Sequence, residues 1–136
     1  METLSRNNQF QVYQNNAVNT ASGEKLTMML YNGCIKFINK ALQDMENNDY
    51  EAKNNHIQRA QDIIQELMLT LDQDVEISKQ ILPLYEYIYF QLQEGNINNN
   101  KEHVQEALNY VVEFRDTWKE VILKANKNQY TQGAKV

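Results

Sequence analysis

Proline and glycine are scarce in this sequence, with one proline and four glycines among 136 residues. Both residues interrupt regular structure, and folds with many strands need them in their turns. Their scarcity argues against a sandwich of short strands and favours a few long helices. Hydrophobic residues make up 42% of the chain, which is long enough for one domain with a sizeable core. We therefore expect a single helical domain.

Cysteine is almost absent as well, since Cys34 is the only one. One cysteine excludes an internal disulfide and fits a reducing compartment. No apolar run approaches the roughly 20 residues that a membrane span needs. Residues 1–16 also lack the basic region and apolar stretch of a signal peptide. We expect a cytoplasmic protein that does not insert into membranes.

Basic residues are outnumbered by acidic ones, and histidines that could bind a metal are few. The net charge of −5 opposes binding to nucleic acid or to an anionic membrane surface. Di-iron bundles need paired Glu-x-x-His motifs, but Lys53 and Asn100 stand three residues before the only histidines, His56 and His103. No glycine-rich phosphate loop or catalytic triad is present. We expect no metal, no cofactor and no enzymatic activity.

Four segments carry apolar residues at helical spacing, separated by polar breaks such as "ENNDY", "DQD" and "EGNINNN". The predicted helices run over about 23–47, 49–71, 75–94 and 100–125. The apolar face predicted for the first is Leu26, Met29 or Leu30, Gly33 or Cys34, Phe37, Ala41 and Met45. Short connections make consecutive helices antiparallel. The sequence therefore predicts an all-α, up-down-up-down four-helix bundle.

The ends of the chain and of the helices carry their own signals. We expect a mobile N-terminus at 1–9, one bundle domain at 10–125 that includes an N-terminal cap at 10–21, and a flexible tail at 126–136. Pro83 falls inside the third helix, where it would either cause a kink or delay the start of the helix. The residues predicted to cap helices are Ser22, Asn48, Asp74 and Asn99 at N-termini and Gly95 at a C-terminus.

An unusual surplus of aromatic residues lies in "LPLYEYIYFQL", which contains Tyr85, Tyr87, Tyr89 and Phe90. Successive helical residues point about 100° apart, so these side chains cannot all face one core. Tyr85 and Ile88 fit the core, which leaves Tyr87, Phe90 or both facing solvent or a groove. Two interpretations stay open: tyrosines lying along the surface with hydrated hydroxyls, or an exposed surface for an apolar partner helix. The segment "TMMLY" raises the same question on the first helix.

Several segments together resemble one known family. They are "YQNNAVNTAS", "LTMMLYNGCIKFI", "LYEYI" and "EFRDTWKE", which follow one another in order between Tyr13 and Glu120. In this combination the chain resembles the flagellar secretion chaperone family FliS. One departure is that Tyr89 and Phe90 stand where the family often carries a basic pair, so contacts of that pair cannot be transferred to this chain.

The resemblance implies a function. A chaperone of this family binds the disordered C-terminal segment of flagellin, which folds into helices wrapped around the bundle, cannot polymerise early and stays competent for flagellar type III secretion. The export gate and other flagellin regulators are further partners to expect. The candidate flagellin-binding surface is Met28, Met29, Leu30, Tyr31, Tyr85, Tyr87, Tyr89 and Phe90. An N-terminal latch, which covers the empty groove and leaves when flagellin arrives, would consist of Phe10, Val12, Tyr13 and Val18.

A second function of another class remains open. The bundle could be an adaptor or regulator that self-associates through its aromatic face and has no export client. A free chaperone would be a monomer or a weak homodimer. Formation of a one-to-one complex with the C-terminal segment of flagellin would distinguish the two functions.

Overall fold

A computed structural model describes the backbone of residues 23–134 and the side chains of residues 23–127. Within these limits the chain forms four α-helices and no strand: α1 (Gly23–Glu46), α2 (Tyr50–Thr70), α3 (Glu76–Ile97) and α4 (Lys101–Ala134). The predicted all-α class is confirmed. The predicted mobile N-terminus (1–9), the cap (10–21), all four latch residues and the N-cap Ser22 lie outside the described residues.

The helices form a ring in which each packs against two neighbours. α1 lies between α2 and α4, and α3 lies between the same two helices on the opposite side. Neighbours are antiparallel: Glu24 at the start of α1 meets Trp118 far along α4, whereas Glu46 at the end of α1 pairs with Lys101 at the start of α4. This arrangement is the predicted up-down-up-down bundle.

The core is a band of aliphatic side chains at the centre of the ring. Its largest fully buried members are Ile38, Ile57, Ile64, Leu67, Ile88, Leu92, Val104 and Val111. On α1 the predicted face is partly wrong: Met29 is exposed and Phe37 and Met45 are half-buried, whereas Tyr31, Ile38 and Leu42 are buried. The buried face of α1 is turned toward α4 relative to the prediction, because α1 packs on α4 as well as α2.

Two tyrosine hydroxyls meet across the centre of the bundle. Tyr31 on α1 and Tyr85 on α3 lie on a diagonal of the ring, and their hydroxyl oxygens are 2.6 Å apart. Phe114 of α4 packs against both rings, with centroid distances of 6.1 Å to Tyr31 and 5.3 Å to Tyr85. Burial raises the pKa of both hydroxyls, so both stay protonated and either one donates the hydrogen bond.

The turns place the helix caps one residue away from several predictions. The N-cap of α2 is Asp49, whose carboxylate accepts a hydrogen bond from the backbone N–H of Ala52 at 3.1 Å. The predicted cap, Asn48, has a φ of 55° and forms the left-handed turn before it. α3 begins after Val75, which makes no side-chain capping bond, so the prediction of Asp74 was also wrong. Pro83 lies inside α3 as predicted.

The α3–α4 turn is held tightly. Asn99 has a φ of 51°, and the side chain of Asn100 accepts a hydrogen bond from the N–H of Glu102 at 2.9 Å. Lys53 of α2 is buried beside this turn, where its ammonium group donates to the carbonyl oxygen of Asn96 at 2.9 Å and to the side chain of Asn99. Burial of this ammonium group lowers the pKa of Lys53.

Gly95 is buried within α3, so the prediction that it ends the helix was wrong. A Cβ atom at this position would lie 2.5 Å from Cγ2 of Val104 and 3.1 Å from the carbonyl oxygen of Asn100. Glycine is therefore required here by the close approach of α3 to the start of α4. The same approach brings the N–H of Asn100 to the carbonyl oxygen of Gly95 at 3.0 Å.

The helices differ in length, which shapes one end of the bundle. α4 has 34 residues and α1 has 24, so they span about 51 and about 36 Å at 1.5 Å per residue. The indole N–H of Trp118 donates to the carbonyl oxygen of Glu24 at 2.9 Å. The residues after Trp118 therefore extend past the start of α1. The segment 126–136, predicted as a tail, is helical as far as Ala134.

Gly95→Ala should destabilise the bundle by about 2–3 kcal/mol, because the added methyl group overlaps Val104 and backbone atoms cannot move away cheaply. Gly33→Ala is the matched control. There the added Cβ would lie 3.4 Å from Cδ1 of Ile63, an ordinary contact, and alanine favours the helix by about 0.5–1 kcal/mol. Urea unfolding of both variants measures the difference. Equal stability of the two variants would contradict the close approach at Gly95.

The hydroxyl pair predicts strong coupling between two substitutions. Tyr31→Phe or Tyr85→Phe alone should cost about 1–3 kcal/mol, because each leaves one buried hydroxyl without its partner. The double variant should recover most of this loss, since no hydroxyl then remains. Denaturant unfolding of the four proteins completes the double-mutant cycle. Additive losses would mean that the two hydroxyls do not interact.

Candidate functional site

An open groove runs between the first turns of α1 and the second half of α4. It has a volume of about 660 Å³. Four apolar residues and five polar ones line it: Met28, Met29, Ile122 and Leu123, with Lys25, Asn32, Arg115, Asp116 and Lys119. At one end of the groove, Lys119, Ile122 and Leu123 belong to the part of α4 that continues beyond the point where Trp118 meets the start of α1.

The apolar side chains of this groove reach solvent. Met29 is 38% exposed and Leu123 is 60% exposed. The polar lining is more cationic than anionic, with Lys25, Lys119 and Arg115 against Asp116. Arg115 is held in place by Asp116, since its Nη2 lies 3.0 Å from a carboxylate oxygen of that residue. An apolar floor with a polar rim is typical of a surface that binds an amphipathic segment.

A second, smaller hollow of about 400 Å³ continues along the outside of α4. Leu108 and Val112 supply its apolar surface, and Glu113 and Glu120 supply negative charge. Asp116 lines both hollows, so the two are adjacent. The surface changes from cationic in the groove to acidic along α4.

Aromatic side chains lie on the far side of α4, along α3. Phe90 is 51% exposed, and Tyr87 is exposed with its ring 5.6 Å from that of Tyr110 on α4. The Tyr87 hydroxyl donates to a carboxylate oxygen of Glu106 at 2.7 Å and accepts from the side chain of Gln91 at 3.0 Å. The hydrogen bond to Glu106 raises the pKa of Tyr87. Tyr87 thus combines a bonded hydroxyl with an exposed ring.

The eight residues predicted as a flagellin-binding surface do not form one surface. Leu30, Tyr31 and Tyr85 are buried in the core, so their prediction as surface residues was wrong. Met28 and Met29 line the groove, and Tyr87 and Phe90 lie on α3. Tyr89 is half-buried on the side of α3 that faces α2, where Gln65 donates to its hydroxyl at 3.4 Å.

Of the nine groove residues, sequence reasoning found only Met28 and Met29, and it missed both apolar residues of α4, Ile122 and Leu123. Ile122 lies at helical spacing from Val111 and Trp118, a pattern that is typical of a core position. The signal that could have identified both is the length of that helix: its apolar residues continue beyond the level at which α1 begins. Only the alignment of Trp118 with Glu24 shows where that level lies.

The two histidines and the single cysteine have structural roles. Nδ1 of His56 lies 2.5 Å from a carboxylate oxygen of Asp44, and Nδ1 of His103 lies 2.7 Å from the side-chain oxygen of Gln91. Cys34 is fully buried, and burial raises the pKa of its thiol. Within the described residues no cluster of histidine, cysteine or carboxylate groups is suited to a metal ion. None of the described helices combines the length and the hydropathy that crossing a membrane requires.

Comparison with known proteins identifies relatives over most of the chain. The family model for the flagellar protein FliS matches residues 6–126. The flagellar secretion chaperone FliS of Bacillus subtilis is 44% identical over 126 residues, which cover 93% of this chain and 95% of that protein. The FliS chaperone of Escherichia coli is 28% identical over 116 residues, covering 83% of this chain and 85% of that protein.

A solved structure supports the fold separately. The crystal structure of a bacterial flagellar chaperone matches with a TM-score of 0.71 at 17% identity, covering 85% of this chain and 98% of that one. The family consists of chaperones, which confirms the prediction that the chain is not an enzyme. Because the family model spans nearly the whole sequence, this chain belongs to the FliS family of flagellar secretion chaperones.

Proposed function

We propose that this protein is a cytoplasmic export chaperone that binds the disordered C-terminal segment of flagellin. Binding prevents premature polymerisation of flagellin and keeps it competent for flagellar type III secretion. The observation that carries the proposal is the open apolar groove between α1 and α4, in a chain of the FliS family. The export gate and other flagellin regulators are proposed as further partners of the complex.

The surface around α4 supports a client that wraps around the bundle. The groove, the hollow along α4 and the aromatic side chains of α3 follow one another around this helix, and Asp116 joins the first two. Tyr110 and Tyr87 join α4 to the third. A segment that folds as it binds can cover such an extended, shallow surface, since its own rigid shape is not a constraint. We propose that the flagellin segment takes this route.

The change of charge along the route would fix the position of the client. Lys25 and Lys119 lie at the groove, whereas Glu113 and Glu120 lie in the hollow. Opposite charges on the client would be attracted to the two parts, and a shifted register would bring like charges together. Apolar contacts supply most of the affinity in this proposal, and the charges select one register.

The proposed complex is tested by titrating the flagellin C-terminal segment into the protein and measuring heat of binding and native mass. We expect a one-to-one complex. Met28→Glu and Leu123→Glu should each weaken binding at least about tenfold, because each places a carboxylate where the client buries apolar surface. Phe90→Glu tests the α3 part of the route in the same way.

Leu69→Glu provides a matched control for these variants. Leu69 is 80% exposed on α2, a helix that does not pack against α4, so its substitution should leave the affinity unchanged. Unchanged binding by all three groove and α3 variants would overturn the proposed route. A protein that stays dimeric and does not bind the segment would instead be the self-associating adaptor.

The N-terminal latch is a further part of the proposal. Phe10, Val12, Tyr13 and Val18 would occupy the groove when it is empty and compete with the client, which lowers the observed affinity by the fraction of closed molecules. A Tyr13→Ala/Val18→Ala double variant should therefore bind flagellin as tightly as wild type or tighter, with a faster association rate. Stopped-flow fluorescence measures this rate.

Hydrogen exchange provides an independent test of the latch. Residues 10–18 should lose protection from exchange when the flagellin segment is added to the wild-type protein. If these residues exchange freely before the segment is added, they do not form a latch. Slower exchange after addition would make Tyr13 and Val18 direct contacts of the client.

A further inference from the structure

A second surface of different chemistry lies on the seam between α1 and α2. Phe37 of α1 is half-buried there, and three groups converge on its ring. The ammonium group of Lys40 lies 5.9 Å from the ring centroid and the guanidinium group of Arg59 lies 5.5 Å from it. The imidazole ring of His56 stacks at 6.2 Å. We call Phe37, Lys40, His56 and Arg59 the Phe37 patch.

The helices position this patch firmly. Lys40 is one turn after Phe37 on α1, and His56 and Arg59 are one turn apart on α2, so all four side chains meet across the seam. Asp44, a further turn along α1, binds Nδ1 of His56. Along the same seam Gly33 of α1 faces Ile63 of α2, since a Cβ at Gly33 would lie at an ordinary contact distance of 3.4 Å from Cδ1 of Ile63. The surface is therefore built on two rigid elements.

The two cations of the patch contact the ring of Phe37 rather than an acid within residues 23–127. Among the described residues, no ion pair joins Lys40 or Arg59 to a carboxylate. Asp44 does contact the patch, but its carboxylate pairs with Nδ1 of His56. Lys36, the exposed residue just before Phe37 on α1, adds positive charge beside the patch. This cationic region stands out in a chain whose net charge is −5.

The location of the patch separates it from the route proposed for flagellin. The groove is lined by residues of the first turns of α1, up to Asn32, and by α4. Phe37 lies further along α1 and contacts α2, which is diagonal to α4 in the ring. A client wrapped around α4 therefore leaves the Phe37 patch uncovered.

The chemistry of the patch favours carboxylates presented by a protein. Two cations over an aromatic ring can each donate hydrogen bonds to a carboxylate while the ring holds them in place. An apolar side chain of the ligand can contact the edge of the ring. A long polyanion such as nucleic acid would also extend over acidic parts of the surface and be repelled by the net negative charge. A short acidic segment meets only the patch.

We propose that the Phe37 patch is a docking site for an acidic, amphipathic segment of a second protein, which binds while the flagellin groove is occupied. The site gives the chaperone a contact that is independent of its client. Attraction between charges at this surface makes the contact sensitive to salt. The proposal does not depend on the identity of the client.

The probe for this site is a labelled helical peptide with glutamates and leucines at helical spacing, and its control carries glutamines in place of the glutamates. We expect saturable binding of the glutamate peptide, weakened by salt, with the largest amide chemical-shift changes at Phe37, Lys40, His56 and Arg59. The Lys40→Gln/Arg59→Gln double variant should bind about tenfold more weakly by fluorescence anisotropy.

Lys79→Gln is the matched control, because Lys79 is an exposed lysine of α3 that pairs with Glu76, and it should bind the peptide as wild type does. The double variant should still bind the flagellin segment, which separates this site from the client groove. Absence of saturable binding, equal binding of the glutamine peptide, or equal binding by the double variant would each overturn the proposal. Shift changes centred on the α1–α4 groove would overturn it as well.

Discussion

The contact between the hydroxyl groups of Tyr31 and Tyr85 sets the orientation of the surfaces that matter for binding. These hydroxyls join α1 to α3 across the diagonal of the ring, where the two helices do not otherwise pack. With Tyr31 inside, Met28 and Met29 turn toward α4 and solvent. With Tyr85 inside, Tyr87 and Phe90 turn outward. Phe114 packs against both tyrosine rings and extends the same constraint to α4.

The two ends of the bundle have different physical characters. At the α3–α4 turn the chain is closed tightly: Gly95 leaves no room for a side chain, and the buried ammonium of Lys53 bonds to oxygens of Asn96 and Asn99. At the other end α4 extends past the start of α1, and apolar side chains such as Leu123 are exposed. A rigid end and an open end suit a chaperone, since the rigid end preserves the fold while the open end exchanges partners.

Polar interactions on the surface divide in a similar way. On the α3–α4 face, Tyr87, Gln91, Glu106 and His103 form a connected set of hydrogen bonds, so the polar atoms there are already engaged. On the α1–α2 seam, Lys40 and Arg59 interact with the ring of Phe37. An aromatic ring only partly replaces the hydration and counter-charge of a cation, so these groups retain attraction for an anion. The first face favours apolar contact and the second favours charge.

The sequence by itself determined the fold class, the number of helices and much of the core. Residues such as Ile57, Ala60, Ile64 and Leu67 recur at the helical period, and the polar breaks between stripes force antiparallel neighbours. The motifs around "LTMMLYNGCIKFI" and "EFRDTWKE" also indicated the family before any contact was known. These features are local, because each depends on residues within a few turns of one another.

Only the tertiary structure decided which aromatic and apolar residues belong to a binding surface. Leu30, Tyr31 and Tyr85 were predicted as part of the flagellin-binding surface, but each is buried, because a helix between two neighbours buries a wider face than periodicity shows. The groove depends on how far α4 extends past α1, and the Phe37 patch depends on residues of two helices meeting across a seam. Such relations join segments far apart in the chain. They follow from packing, so the spacing of residues within one helix cannot reveal them.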